Sequence, residues 1–224
     1  MTTSGSVLFE IEVSDLIEES AARAGVEVRS GFQWQSAIRT LNLLLSSWAS
    51  KGLNLFCIDE GTLAISANDA VYDLPDDTVD LLDMAIRDGS TDYRLERVGV
   101  GTWAQIANKS QTSSRPVQAW VERLTDGVRI NLWPVPNQAL TLVYWRLRRI
   151  EDAGSAANTP DVPFRFVPAL VSGLAYYLAM KSPGANLDRI AMLKAVYDEE
   201  LESAQSEDRG RESFFIGVYT RGLR

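Results

Sequence analysis

The sequence predicts an α+β protein in which N- and C-terminal helices form an antiparallel α-helical bundle. An antiparallel β-rich region is inserted into that bundle, and a C-terminal tail extends beyond it. Three observations carry this reading. Apolar residues recur at spacings of three and four near both ends of the chain, they alternate in twos through its middle, and both periods are lost in the last twenty residues.

The first helix is expected over 15–24, with Asp15 as its cap, Glu18 three positions on, and Gly25 ending it in a left-handed turn. Leu16, Ile17, Ala21 and Ala24 form a modest apolar side. A second helix is expected over 33–51, because Ile38, Leu41, Leu45 and Trp48 make one stripe and Arg39, Asn42, Ser46 and Ser50 a polar one. Gly52 is placed to stop it.

From Leu53 the period changes. Leu53, Leu55 and Cys57 alternate with Asn54, Phe56 and Ile58, and Leu63 and Ile65 resume after Glu60-Gly61, a pattern of short strands and turns. Val71-Tyr72-Asp73-Leu74-Pro75 reads as an extended segment halted by proline. Residues 78–87 could be strand or helix, since Val79, Leu81, Leu82, Met84 and Ile86 fit neither template cleanly. Asp88-Gly89 signals a hairpin, 103–108 a short helix and 109–115 a polar loop.

Residues 117–147 read as three consecutive antiparallel strands. Trp120 and Leu124 share a face of the first, and Asp126-Gly127 is expected to supply a positive φ for the hairpin that follows. Val128, Ile130 and Leu132 line the second strand, which Pro134 and Pro136 end. Leu140, Leu142 and Tyr144 oppose Val143, Trp145 and Leu147 on the third, so that strand is expected to be covered on both faces.

Gly, Ala, Ser, Asn and Pro mark 151–163 as a connector. A helix begins between Pro163 and Pro168 with Val167, Leu170, Val171, Leu174 and Leu178 as its stripe, while Gly173, Ala175 and Ala179 permit close approach. Ser182-Pro183-Gly184 turns the chain into a last helix on Ile190, Leu193, Tyr197, Leu201 and Ala204, with Asp198, Glu199, Glu200 and Glu202 outside. The expected organisation is therefore a helical part, 1–57 with 163–204, an inserted β-rich region, 58–152, a connector, 153–162, and a tail, 205–224.

Composition removes several functions. The chain of 224 residues is 46% hydrophobic, enough for an ordinary core, and no run approaches the ~18 apolar residues that span a bilayer. With 22 basic and 30 acidic side chains, its surface repels a phosphate backbone. Histidine is absent and cysteine occurs once, so triads of the usual kind and cysteine- or histidine-built metal sites are excluded; no cofactor and no enzymatic activity are expected. Cys57, between Phe56 and Ile58, reads as a buried thiol. Val98-Gly99-Val100-Gly101 lacks the Lys-Ser/Thr of a phosphate loop and reads as a turn. Asp76-Asp77 and Glu18-Glu19 read as solvated or capping acids, and Trp120, Trp133 and Trp145 as core.

The tail differs from the body. Four arginines face three acids there, a net of +1, whereas the whole chain carries −8 and the first 204 residues therefore −9. Phe214, Phe215, Ile216, Val218 and Tyr219 form an apolar cluster that either folds back on its own core or docks into another subunit.

Several short runs occur together in order. They are Ala37-Ile38-Arg39-Thr40-Leu41-Asn42, Ser47-Trp48-Ala49-Ser50-Lys51-Gly52-Leu53-Asn54-Leu55, and Tyr72-Asp73-Leu74-Pro75-Asp76-Asp77. The loop from Asn108-Lys109 to Ser114-Arg115-Pro116, the run Asn131-Leu132-Trp133-Pro134-Val135-Pro136 and the small-residue helix over 169–179 follow. In this order the sequence resembles the head-to-tail adaptors of short-tailed bacteriophages, also described as tail accessory factors, head-completion proteins or tail tubular protein A. The resemblance implies a helical bundle with an inserted β region and a ring, of twelve copies, beneath the portal protein. It also implies retention of packaged DNA, which passes through the lumen without specific binding, and a platform for the tail nozzle or tail tube and the tail fibre or spike proteins. The protein would be made in the host cytoplasm and end at the head–tail junction of the virion. Portal binding is then expected of Arg209, Arg211, Phe214, Phe215, Ile216, Tyr219, Arg221 and Arg224, since arginines and aromatic anchors suit an acidic partner surface. Another connector or tail-completion ring, or a tail-associated peptidoglycan hydrolase, are the alternatives.

Overall fold

In the computed structural model the described residues are 9–50, 55–184 and 186–208, the side chains of Ser50 and Leu55 excepted. They form a mixed α+β structure with two apolar cores.

Helix α1, Val13–Ala24, starts two residues before Asp15, which sits in its first turn. Its cap is tertiary. Glu12 makes no side-chain cap bond; instead the Val13 and Ser14 amides donate to the Asn158 and Ala156 carbonyls of the connector, each at 2.9 Å. Gly25 ends the helix as expected, at φ 69°, with its amide on the carbonyls of Ala21 and Ala22. Helix α2, Gly31–Ser50, also begins earlier than its apolar stripe suggests. Ser30 and Gln33 form a reciprocal capping box, the Gln33 amide donating to Ser30 Oγ at 3.3 Å and the Ser30 amide to Gln33 Oε1 at 2.9 Å. The expected stop at Gly52 lies outside the described residues. Asn42, expected on the polar side, is half-buried, and its Oδ1 accepts from the Ala153 amide at 2.8 Å.

A 3₁₀ turn, Leu55–Cys57, leads into strand β1, Ile58–Ile65. Glu60-Gly61 is no turn. Gly61 lies mid-strand opposite Tyr144, where a Cβ would collide with the tyrosine ring, so the glycine serves ring packing and not chain reversal. Then come β2, Val71–Asp73, and β3, Thr78–Asp88, which settles the ambiguous segment as strand. The Asp88-Gly89 hairpin, with Gly89 at φ 62°, joins β3 to β4, Thr91–Arg94. Strand β5, Glu96–Val98, and helix α3, Val100–Gln105, follow; the helix starts three residues before the expected 103. The expected polar loop contains a short strand β6, Thr112–Ser113.

Strands β7, Gln118–Arg123, and β8, Val128–Trp133, make the expected hairpin, but Gly127 is absent from the positive-φ residues and the reversal is a four-residue loop closed by Leu124 N–H to Gly127 O at 2.8 Å. After β9, Val135–Pro136, strand β10, Leu140–Arg148, leaves its sequence neighbours. The expected three-strand meander does not form. One sheet runs β1-β10-β3-β4, antiparallel throughout, a second runs β2-β8-β7-β5 with β5 parallel to β7, and β6 pairs with β9 in parallel. Leu142 and Val143 are both fully buried, so β10 is covered on both faces as expected. Between the four-stranded sheets lie Leu81, Met84, Ile86, Leu142, Ala119, Ile130 and Leu132. Asp80 of β3 links them at the surface, pairing with Arg97 of β5 and Arg123 of β7.

The chain returns through a 3₁₀ turn, Phe164–Phe166, to α4, Val167–Lys181, and α5, Leu187–Glu207. Every residue from Ala169 to Ala175 is buried, so α4 lies apolar side inward against α1, α2 and α5 on all its faces and not along one stripe. A Cβ on Gly173 would stand 2.7 Å from the Tyr197 ring and 3.0 Å from Leu44. Trp48 donates its indole N–H to the Tyr197 hydroxyl at 2.8 Å inside this core. Helix α5 continues through Gln205, Ser206 and Glu207, residues expected to belong to the tail, because Ala204 and Asp208 extend its buried stripe.

Two substitutions probe this core. Gly173→Ala is expected to cost about 1–3 kcal/mol by forcing the ring and Leu44 apart. Tyr197→Phe is expected to cost about 1–2 kcal/mol by leaving a buried indole N–H unpaired. Urea unfolding of each variant against the parent chain measures both.

Candidate functional site

The eight residues expected to bind the portal, Arg209, Arg211, Phe214, Phe215, Ile216, Tyr219, Arg221 and Arg224, lie outside the described residues. The structure does describe where that segment begins. Asp208 caps α5, its amide donating to the Ala204 carbonyl at 3.1 Å and its carboxylate, only 3% exposed, pairing with Arg165 of the 3₁₀ turn. The Arg165 guanidinium also lies 5.6 Å from the Phe166 ring centroid. Beside it Phe164 is exposed and its ring lies 6.0 Å from that of Phe9, tilted by 34°; Phe9 is exposed as well. The root of the tail is thus held against the start of α4. Sequence reasoning counted Asp208 among the tail acids; the overlooked signal is its spacing of four from Ala204 and seven from Leu201 on the buried stripe.

A cluster of charges adjoins this root where the β strands meet the helices. Arg148 grips Asp161 of the connector through two guanidinium nitrogens and reaches Asp59 of β1 at 3.3 Å. Arg146 pairs with Asp77 and lies 3.7 Å from Asp59. Burial opposes ionisation of Asp161, yet the Arg148 hydrogen bond and the Glu151 amide hold its carboxyl below the usual range. Cys57 is fully buried among these groups, as expected. Burial pushes its thiol up to about 11, opposed by Arg148 and reinforced by Asp161, Asp59 and Asp208.

The other sequence candidates disperse. Glu19 pairs with Arg23 at 2.7 Å, Asp77 with Arg146, and Asp76 is exposed. Gly99 precedes α3 as its cap, so the two-glycine run opens a helix of six residues where a turn was expected. The three tryptophans expected in the core are half-buried instead: Trp120 lies 5.9 Å from Trp103, and Trp133 donates its indole N–H to the Asn108 carbonyl at 3.0 Å. Each faces away from the core between the sheets because its neighbours take the inward positions, Ala119 and Val121 on β7, Ile130 and Leu132 on β8, and Leu142 and Tyr144 on β10. Among the described residues no group of three or more acids and cysteines is placed to hold a metal ion, and no helix is long and apolar enough to cross a membrane.

Two outcomes test the charged cluster. Asp161 has a depressed folded-state pKa, so its contribution is present above the unfolded carboxylate value of about 4 and is lost as pH falls through the folded value. Asp161→Asn is expected to cost about 2 kcal/mol at pH 7 and to flatten the acid limb of a stability profile measured by urea unfolding from pH 7 to 3. The Cys57 thiol is expected to ignore a colourimetric thiol reagent at pH 8 until urea unfolds the chain; prompt labelling of the native protein would contradict its burial.

Comparison with known proteins adds what the geometry does not contain. No match to a curated protein is found. The family model described as SU10 adaptor protein matches residues 11–217. That match takes in α1, α2, α4 and α5 with both four-stranded sheets, and the chain therefore belongs to the SU10 adaptor protein family of phage head-to-tail adaptors, structural components of the virion at its head–tail junction.

Proposed function

We propose that copies of this chain assemble into a ring of twelve that caps the portal, helps retain the packaged DNA and carries the tail nozzle or tail tube with its fibre or spike proteins. The family match over 11–217 carries this reading. The role is mechanical and not catalytic, and synthesis takes place in the host cytoplasm. The acid-rich body, −9 over the first 204 residues, suits a lumen through which DNA slides without adhering. The two separate apolar cores support a division of labour in which the helical part, 1–57 with 163–204, holds the ring and the β-rich insertion, 58–152, meets tail components.

The tail, 205–224, is the portal-docking element in this reading, through the four arginines and the aromatic cluster at 214–219. Its first residues belong to α5, so in this reading docking falls to the residues after the Asp208–Arg165 pair.

Deleting 209–224 is expected to leave the circular dichroism and melting of the chain unchanged while abolishing attachment to portal rings, read by native mass spectrometry of the mixture. An unfolded truncation would assign the apolar cluster to the chain's own core, and retained attachment would move the portal contact elsewhere.

A further inference from the structure

Two helices leave large apolar side chains in water on the side away from the core. On α2 the outward stripe is Phe32, Arg39 and Leu43, with Leu43 70% exposed. On α5 it is Met192, Ala195, Val196 and Glu199, with Met192 60% and Val196 38% exposed. Each set falls on one side of its helix by the 3.6-residue repeat. Each stripe also carries an unused charge: among the described residues neither Arg39 nor Glu199 has an ion pair or hydrogen bond from its side chain.

The charges of the two helices are opposite. Helix α2 has one arginine and no acid in 20 residues, whereas α5 has six acids against Arg189 and Lys194 in 21. Two α5 faces brought together would set Glu199 and its acidic neighbours against their own copies, so the apolar stripe of α5 is unsuited to a two-fold contact with itself. The α2 face suits it in both polarity and sign.

We infer that the outward face of α2 in one copy docks on the outward face of α5 in the next, the helices running antiparallel, with Leu43 over Met192, Ala195 and Val196 and Arg39 against Glu199. The spacings match. Arg39 and Leu43 are four residues apart, as are Ala195 and Glu199, which is about 6 Å of rise on each helix. The methyl side chains of Ala191 and Ala195 let the axes approach to about 8 Å. Because the two faces differ, the contact is head-to-tail: a copy whose α5 face is covered still offers its α2 face, and addition continues until the circle closes. This interface rests on the ring reading above and names the surfaces that build it.

Mass photometry of the full chain, alone and mixed with portal rings, tests it with Arg39→Glu, Glu199→Arg and the doubly exchanged variant. Both positions of change are exposed, so melting temperatures are expected to stay at the parent value and serve as the control for folding. The parent chain is expected to form closed multi-copy rings, each single reversal to weaken self-association at least about tenfold, and the exchanged pair to recover it. Rings formed equally well by the single variants, or no recovery in the exchanged pair, would overturn this interface and leave the ring intact. A parent chain that never associates with itself, on or off the portal, would overturn the ring and the interface together.

Discussion

A helix that is apolar on every side has one stable place, the middle of a core, and α4 imposes that constraint on everything around it. Its buried run from Ala169 to Ala175 has no side to turn to water, so α1, α2 and α5 must enclose it. Close enclosure requires small residues at the contacts. Gly173 admits the Tyr197 ring and Leu44 on one side, and on another the Ser20 hydroxyl of α1 lies 3.1 Å from the Val171 carbonyl. Tyr197 in turn satisfies the indole of Trp48, which packs 5.7 Å from Phe166 at the entrance to α4. The four helices are thus held by contacts that converge on one element contributed late in the chain, and α1 even takes its capping carbonyls from the connector that precedes it.

The β-rich insertion meets this core through apolar residues at its two ends, Phe56 before β1 and Ile150 after β10, and a charge cluster beside them gathers the strand ends and the connector. Strands β1 and β10 enter and leave the insertion side by side, and the Arg146–Arg148 end of β10 gathers Asp59, Asp77 and Asp161 from three distant places. The bidentate Arg148–Asp161 pair fixes the connector's orientation against β10, because a guanidinium opposed by a carboxylate through two hydrogen bonds tolerates little rotation. Phe56 adds an apolar peg, 5.3 Å from Phe166, next to the fully buried Cys57. The seam between the two cores therefore carries both charge and apolar contact.

Asp208 sits at the far end of the same seam, where the last helix gives way to the arginine-rich segment. Its burial against Arg165 falls where the sequence changes chemistry within a few residues, from an acidic helix to a basic, aromatic stretch. Helices α2 and α5, whose outward faces carry exposed apolar residues, both pack their inward faces into the same apolar core.

The sequence by itself determined the periodic features. The stripe of α2, the last helix on Leu193, Tyr197 and Leu201, the inward row Val128, Ile130 and Leu132, the turns at Gly25 and Gly89, and the burial of Cys57 were all legible, because each depends on local spacing or local backbone chemistry. Partnership was not legible. Gly61 looked like a turn until Tyr144 came to lie over it, and Asp15 like a cap until the connector supplied Asn158 and Ala156. Strand β10 looked like the third strand of a meander until it inserted between β1 and β3. The tryptophans looked like core because composition does not say which face of a strand turns inward. Of the candidate site, sequence marked the charge and aromatics of the tail, while only tertiary structure revealed its root: the stripe on which Asp208 falls is periodic, but the arginine that makes a buried carboxylate tolerable there comes from a turn 43 residues earlier.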